Sequence, residues 1–385
     1  MQNLSSGFNL GDSIKVDFCK KLVGIGWLGC LIFRTTLKPF MNKKERFIAT
    51  IERRPVDRPA SWLGIPATAA LPALLAHFRV SDLAGLKQAI GDDVWPVELP
   101  YHSPFSDAIY MAFDFAKKGH IVNEERTLNS PGYFEDIADP VLVENFNWPD
   151  PLQHISEAES RAVVAEVPED YAVMGVVWSA HFQDACAAFG METALMNMIA
   201  EPEMFRAVID RITAFYLKAN ERFYQATKGR LDAVLIGNDF GSQQCLMLSQ
   251  DLIREFVFPG TRALVEQAKA HGLKVIHHSC GAIRELIPDL TEMGVDAIHP
   301  IQALAAGMDA EGLAREFRGK ASFCGGVDAQ NLLVNGTPDA VRRRVRELKS
   351  LFPTGLIISP SHEAILPDIP PRNIQALFEA VREEK

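Results

Sequence analysis

The stretch Lys274-Val-Ile-His-His-Ser-Cys-Gly281 is a short apolar run that stops at polar residues, and helix-period sequence from Ala282 to Met293 follows it. Ala297-Ile-His-Pro300 then repeats the pattern. An apolar run without polar alternation reads as a strand buried on both faces, and a helix between two such strands makes them parallel neighbours. Working outward, strands are expected at Ala233–Gly237, Ser322–Gly326 and Leu356–Ser359, with helices at Asp251–Ala270, Asp309–Phe317, Asp339–Leu351 and Arg372–Arg382. Ser249 with Asp251, and Thr337-Pro338, have the composition of helix starts. The N-terminal half is less regular but adds strands at Ala60–Ile65, Val94–Leu99 and Val173–Trp178, and helices at Leu71–Phe78 and Met191–Ile199. The strand count approaches that of a closed (β/α)8 TIM barrel, an α/β fold. An irregular insertion is expected from about Asp92 to Pro151, with hairpin-like sequence at Ile109–Phe115 and His120–Arg126. The competing architecture, a doubly wound open sheet, usually carries a Gly-rich phosphate turn after an early strand, and this chain has none.

The chain has 385 residues, 48% hydrophobic and 23% charged, with a formal net charge of −10. That balance fits a soluble, cytoplasmic protein and excludes a sequence-independent nucleic-acid binder, which needs basic surface to displace phosphate counterions. Six cysteines, Cys19, Cys30, Cys186, Cys245, Cys280 and Cys324, lack framework spacing and fit a reducing compartment better than a disulfide scaffold. Residues 1–40 stand apart. Their apolar run Leu22–Phe33 is too short to span a bilayer and has no clear small-x-small cleavage pattern, so no membrane partner is expected. Met41-Asn-Lys-Lys-Glu-Arg-Phe47 reads as the natural start of an amphipathic helix, which makes 1–40 an extension or a start-site artefact and 41–385 a single barrel domain.

Active sites of such barrels sit at the C-terminal ends of the strands. Polar residues recur there: Asn238, Asp239 and Gln243; His278 and Cys280; His299 and Gln302; Asp328 and Gln330; His362 and Glu363. His278 and Cys280, two apart on extended backbone, share one face, and imidazole with thiolate is a favoured zinc donor set. His362 is the candidate third ligand on the same mouth, with Asp239 either completing the set or orienting a ligand. The plainer alternative is that Cys280 packs as a small hydrophobe and His278 bonds a backbone carbonyl. His277 points to the opposite face and reads as packed, Cys324 as core. Gly325-Gly326 either admits a ligand or relieves crowding at the strand end.

Several segments together resemble the uroporphyrinogen decarboxylase superfamily, which includes zinc-dependent, corrinoid-linked methyltransferases. They are Lys44-Glu-Arg-Phe47, Pro55-Val-Asp-Arg-Pro59, Asn238-Asp-Phe-Gly-Ser-Gln243, His278-Ser-Cys-Gly281, Gly325-Gly-Val-Asp328, Asn335-Gly-Thr-Pro338, Ser359-Pro-Ser-His362 and Pro371-Arg-Asn-Ile374. The resemblance runs from Met41 to the C-terminus and implies the barrel already inferred. True decarboxylases of the family carry an Arg-rich Met-Arg-Gln-Ala-Gly-Arg-Tyr segment after the first strand. Here Trp62-Leu-Gly-Ile-Pro66 stands in that place, and Gln183 falls near the place of the family's active-site tyrosine. The methyltransferase branch is marked by the His-x-Cys pair, so His278 and Cys280 would match its first two zinc ligands, while His362 stands where that branch commonly has a Cys. The resemblance therefore implies methyl transfer between a small substrate and a corrinoid (cobalamin) carried by a partner protein, or a thiol, at a zinc held by His278, Cys280 and His362. Asp239, Asp328 and His362 are the expected catalytic residues, and Asn238, Gln243, His299 and Gln302 the expected substrate contacts. The alternatives are cofactor-free decarboxylation of a porphyrinogen or smaller carboxylate, aided by Asp239, Asp328 or His362, and a non-catalytic barrel that binds a corrinoid, haem precursor or partner. A homodimer is one expectation for the assembly; the sequence does not fix it.

Overall fold

Short Val- and Ile-rich runs that cannot tolerate a wet face assemble here into a ring of parallel strands covered by helices. In a computed structural model the described residues are 41–117 and 129–383; the extension 1–40, with Cys19 and Cys30, and the expected hairpin strand His120–Arg126 lie outside them. The strands are β1 (Ile65–Pro66), β2 (Val94–Glu98), β3 (Ala172–Trp178), β4 (Ala233–Gly237), β5 (Lys274–His278), β6 (Ala297–Ile301), β7 (Phe323–Val327), β8 (Leu356–Pro360) and β9 (Ala364–Ile365). Strands β2 to β8 form one parallel sheet in sequence order. Residues 60–63 close the ring. Trp62 N donates to Ile358 O, Ile358 N donates to Ala60 O, and Asp93 N donates to Ser61 O, which places this segment between β8 and β2. The result is a (β/α)8 barrel, with β1 and β9 paired in parallel just beyond the ring.

The expected first strand, Ala60–Ile65, is thus realised as a bridge at Ser61 and the two-residue β1 rather than a continuous ladder. The irregular insertion begins only after β2, so the expected boundary at Asp92 falls too early. Within it, Ile109–Met111 forms a single 3-10 turn, while Phe115 O accepts from Tyr133 N and Ala116 bridges Gly132. The region Asp251–Ala270 is helical as expected but contains a π-helical stretch at Ile253–Val257, whose last carbonyl lies 3.1 Å from His181 Nε2. No helix among the described residues is long and apolar enough to cross a membrane.

Alternation along the strands sorts their side chains between the barrel interior and the helical layer. Ala172, Met174 and Val176, Ala233 and Leu235, Ile276, Ala297, Cys324 and Ile357 fill the interior as one buried cluster. Cys324 is core, its thiol pushed up to about 12 by burial. Continuing the same parity upward puts His278 above Ile276 and His299 above Ala297 inside the ring, whereas His277 turns outward and stacks on Phe240 with ring centroids 5.7 Å apart. The base is plugged by the helix Lys43–Ile51, which lowers Phe47 and Ile51 into that interior cluster. Asn42 caps it by accepting from Glu45 N, and Glu45 accepts from Asn42 N in return, a reciprocal capping box.

Beneath the ring lies a cluster of paired charges. The fully buried Asp93 carboxylate accepts from Arg46 and Arg58 at 2.7 Å each and from the Ser61 amide at 2.9 Å. Arg46 also holds Asp57 through two nitrogens at 2.7 Å, and Lys87 pairs with Asp92 where both are buried. The segments Lys44–Phe47 and Pro55–Pro59 therefore work here as the clamp on the base. Removing one member of such a buried pair leaves an uncompensated charge, a loss of about 3–5 kcal/mol.

A candidate metal centre at the barrel mouth

The chain turn after β5 is fixed by backbone crowding. Gly281 sits at φ 87°, and a Cβ there would lie 2.2 Å from Gly241 O, so the loop after β4 and the loop after β5 pack backbone to backbone. Gln302, from the end of β6, accepts from Gly281 N at 2.6 Å and supports the same turn. This packing delivers Asp239 to Cys280: Asp239 Oδ1 accepts the Cys280 amide at 2.7 Å. The same oxygen lies 3.3 Å from His278 Nε2, and Cys280 Sγ lies 3.5 Å from that nitrogen.

These separations fit a cation. A tetrahedral zinc with Zn–S about 2.3 Å and Zn–N about 2.0–2.1 Å has an S···N edge of about 3.5 Å, and its N···O edge is about 3.4 Å. The donor atoms of Asp239, His278 and Cys280 all fall within 4.8 Å of one another. Their electrostatics point the same way. Burial alone would discharge His278, yet Glu363, Asp239 and Cys280 around it hold a proton on the ring well above the ordinary imidazole range. Burial likewise opposes ionisation of Asp239 and Cys280, but His278 overrides it, holding the carboxyl at about 2 and lowering the thiol. The cluster thus gathers anionic donors around one positive charge, which is the condition a divalent ion requires.

The opposite edge of the His278 ring has its own partners. Nδ1 lies 2.9 Å from His299 Nδ1 and 3.4 Å from Glu363 Oε2, and these three side chains form a second convergent donor group. One neutral imidazole ligating through Nε2 keeps its proton on Nδ1 and needs an acceptor there. His299 and Glu363 supply it. Burial, with the positive charge of His278 nearby, pushes His299 well below the imidazole range, so it stands as a neutral acceptor. The second group is best understood as what orients the first.

His362 takes a different place from the one expected. Its Nδ1 accepts from Ala364 N at 3.0 Å, so the neutral ring carries its proton on Nε2 and has no lone pair left for a metal. It is absent from both convergent groups, and its contact to the site is a hydrogen bond with Cys280, which raises its own proton affinity. Asp239 completes the convergent donor group with His278 and Cys280.

The remaining expected residues divide. Asp239, His278, Cys280 and His362 line a cavity of about 900 Å³ at the mouth. Asn238 does not: its Oδ1 accepts from Phe182 N at 2.8 Å and its Nδ2 faces His181, tying β4 to the helix His181–Phe189. Asp328 is engaged by the loop that follows it, accepting from the amides of Gln330, Asn331 and Leu332 at 2.8–3.1 Å. Gln243 is exposed on its loop, where its carbonyl accepts from Ala306 N. The glycine pair at the end of β7 relieves crowding, since a Cβ on Gly325 would lie 2.6 Å from Ile301 N.

Other cavity residues were not among the expected site residues. Trp178 and Ser179 both adopt left-handed backbone, φ 50° and 56°, beside a bulge at the end of β3. Each such non-glycine residue costs roughly 1–3 kcal/mol. The turn sets the Trp178 ring edge-on to His278, with centroids 5.6 Å apart. Glu98, Gln183 and Asp184 line the same space, Asp184 accepting the Tyr216 hydroxyl. Glu363 was visible in the sequence only as a polar neighbour of His362.

The uroporphyrinogen decarboxylase (URO-D) family model matches residues 106–384. A uroporphyrinogen decarboxylase of Chlorobium phaeobacteroides is 23% identical over 367 residues, spanning 89% of this chain and 99% of that protein. A methylated-thiol–coenzyme M methyltransferase of Methanosarcina mazei is 26% identical over 208 residues, 53% of each chain. Among solved structures, a methyltransferase from Methanosarcina mazei superposes with a TM-score of 0.61 at 16% identity, covering 89% of this chain and 98% of that one, a likeness of fold.

Proposed function

Because the chain belongs to the uroporphyrinogen decarboxylase family, we propose that it is a methyltransferase of that family, acting between a small substrate and a corrinoid on a partner protein, or a thiol, at a zinc in the mouth. The convergence of His278 Nε2, Cys280 Sγ and Asp239 Oδ1 carries this reading. Zinc bound there supplies Lewis-acid activation of a thiol or of an oxygen on the methyl donor. The protein's own groups do the rest. Glu363 and His299 fix the His278 ring and hold its Nδ1 proton. Asp239 is locked by the Cys280 amide, and Gln302 holds the turn that presents Cys280. His362 gives or takes a proton beside the sulfur at the open side of the cavity.

Decarboxylation of a polycarboxylate is supported by the family and by the full-length span of its decarboxylase relatives. The cavity argues against it, because none of its described lining residues is a lysine or arginine that could receive carboxylates. The test is an assay of the purified chain with methylcobalamin and a thiol, followed by the corrinoid absorbance, beside an incubation with uroporphyrinogen and product chromatography. Demethylation of the corrinoid supports the proposal. Turnover of the porphyrinogen without it overturns the proposal in favour of the carboxy-lyase.

A further inference from the structure

Beyond the imidazoles of His278 and His362, the charge inside the mouth is negative. Four carboxylates, Glu98, Asp184, Asp239 and Glu363, line the cavity, and no lysine or arginine does so among the described residues. Asp239 and Glu363 are engaged with His278, and Asp184 with Tyr216. Glu98 differs from them. It stands exposed at the end of β2, and its carboxylate has no hydrogen bond or ion pair with a described residue. A divalent ion at the candidate centre does not offset it, because the Cys280 thiolate and the Asp239 carboxylate already balance two positive charges.

The apolar part of the wall is aromatic. The insertion after β2 contributes Tyr110, Phe113 and Phe115, with Tyr110 half exposed, and the strained end of β3 contributes Trp178. Aromatic faces carry negative potential at the ring centre, so they attract a cation and repel an anion, and the attraction grows as the site excludes water. Carboxylate and ring faces together are the chemistry that recognises alkylated ammonium groups. A sulfonate, phosphate or carboxylate ligand would meet no lysine or arginine on this wall, only the imidazoles of His278 and His362, both already engaged with Cys280.

We propose that the cavity selects a small organic cation, a methylated ammonium or sulfonium group on a compact apolar body, over its neutral and anionic counterparts. The fate of this ligand as methyl donor rests on the methyl-transfer reading; its binding stands on the cavity alone. In transfer, the electron pair of a thiolate or of a reduced corrinoid forms the new bond to the methyl carbon. The C–N or C–S pair stays with the departing amine or sulfide, which leaves neutral.

The experiment is calorimetric titration of the full chain with three probes of matched shape: choline, its neutral carbon isostere 3,3-dimethylbutan-1-ol, and the anion 3,3-dimethylbutanoate. Choline should bind at least about tenfold more tightly than the neutral isostere, and the anion more weakly than either. Glu98→Gln should remove most of that preference, and Tyr110→Leu should weaken choline without strengthening the anion, with thermal melts checking that both variants fold. Equal or tighter binding of the neutral or anionic probe overturns the proposal, as does an unchanged preference in Glu98→Gln or no binding of any probe. Repeating the titration after metal removal separates the two readings. A cation preference that persists without metal is expected of the cavity alone; a zinc-loaded chain that shows the preference yet transfers no methyl group from any donor refutes the proposed reaction while leaving the ligand class standing.

Discussion

The two ends of this barrel bury ionisable side chains in opposite ways. At the base, Asp93 has Arg46, Arg58 and an amide, Arg46 has Asp57 as well, and Lys87 has Asp92. At the mouth, His299 Nε2 and Gln183 Oε1 are buried without a hydrogen-bond partner among the described residues, and Glu363 Oε2 meets His278 Nδ1 only at 3.4 Å. A buried polar atom without a partner costs about 1–3 kcal/mol, so the mouth holds unfavourable terms that the charge pairs of the base avoid. The base pairs its charges within the chain, whereas the mouth leaves polar atoms unpaired, as the proposed metal site would require. That contrast is the strongest argument that the His-x-Cys pair is a site and not packing.

The contrast can be broken by substitution. The largest effect should come from Cys280→Ala, which removes the sulfur donor while leaving the interior cluster intact. Methyl transfer should fall about a thousandfold, since Lewis-acid stabilisation is worth several kcal/mol, while the melting curve stays near wild type. Asp93→Ala should do the reverse. It leaves Arg46 and Arg58 partly uncompensated at the base and should lower unfolding free energy by about 3–5 kcal/mol in urea titration, and the folded fraction should still take up metal.

Finer tests sharpen the division within the mouth. Glu363→Gln weakens the acceptor behind His278 without removing a ligand, so zinc affinity measured by chelator competition should drop about 10–100-fold. A Glu363→Gln variant with unchanged affinity would make Glu363 a bystander. The smallest effect is expected from Asp328→Ala. Loss of its hydrogen bonds to Gln330–Leu332 should cost about 0.5–2 kcal/mol of stability and leave both metal content and methyl transfer unchanged.

Much of this was legible in the sequence, for reasons that differ between the halves. From β4 to β8 each strand is a five-residue, almost wholly buried run, and the expected ranges Ala233–Gly237 and Lys274–His278 coincide with β4 and β5. The 25-residue helix Pro202–Ala226 was missed, because charged and aromatic residues interrupt its apolar stripe. The segment at residues 60–63 closes the ring through a few hydrogen bonds that no periodicity encodes. At the site, strand parity correctly put His278 inside and His277 outside. Which acid joins Cys280 depends on loop packing around Gly241 and Gly281, so His362 looked as well placed as Asp239 until the Ala364 amide was seen to occupy its Nδ1. Trp178 entered the cavity wall through a backbone conformation that tryptophan rarely adopts.

The central claim is that the mouth is built around a bound divalent ion. Elemental analysis by inductively coupled plasma mass spectrometry, on the full chain purified without chelator and then dialysed against zinc, tests it most directly. About one zinc per chain is expected in the wild type, lost in Cys280→Ala and retained in Asp328→Ala. A wild type that stays metal-free after loading, or a Cys280→Ala variant that keeps its zinc, would contradict the account.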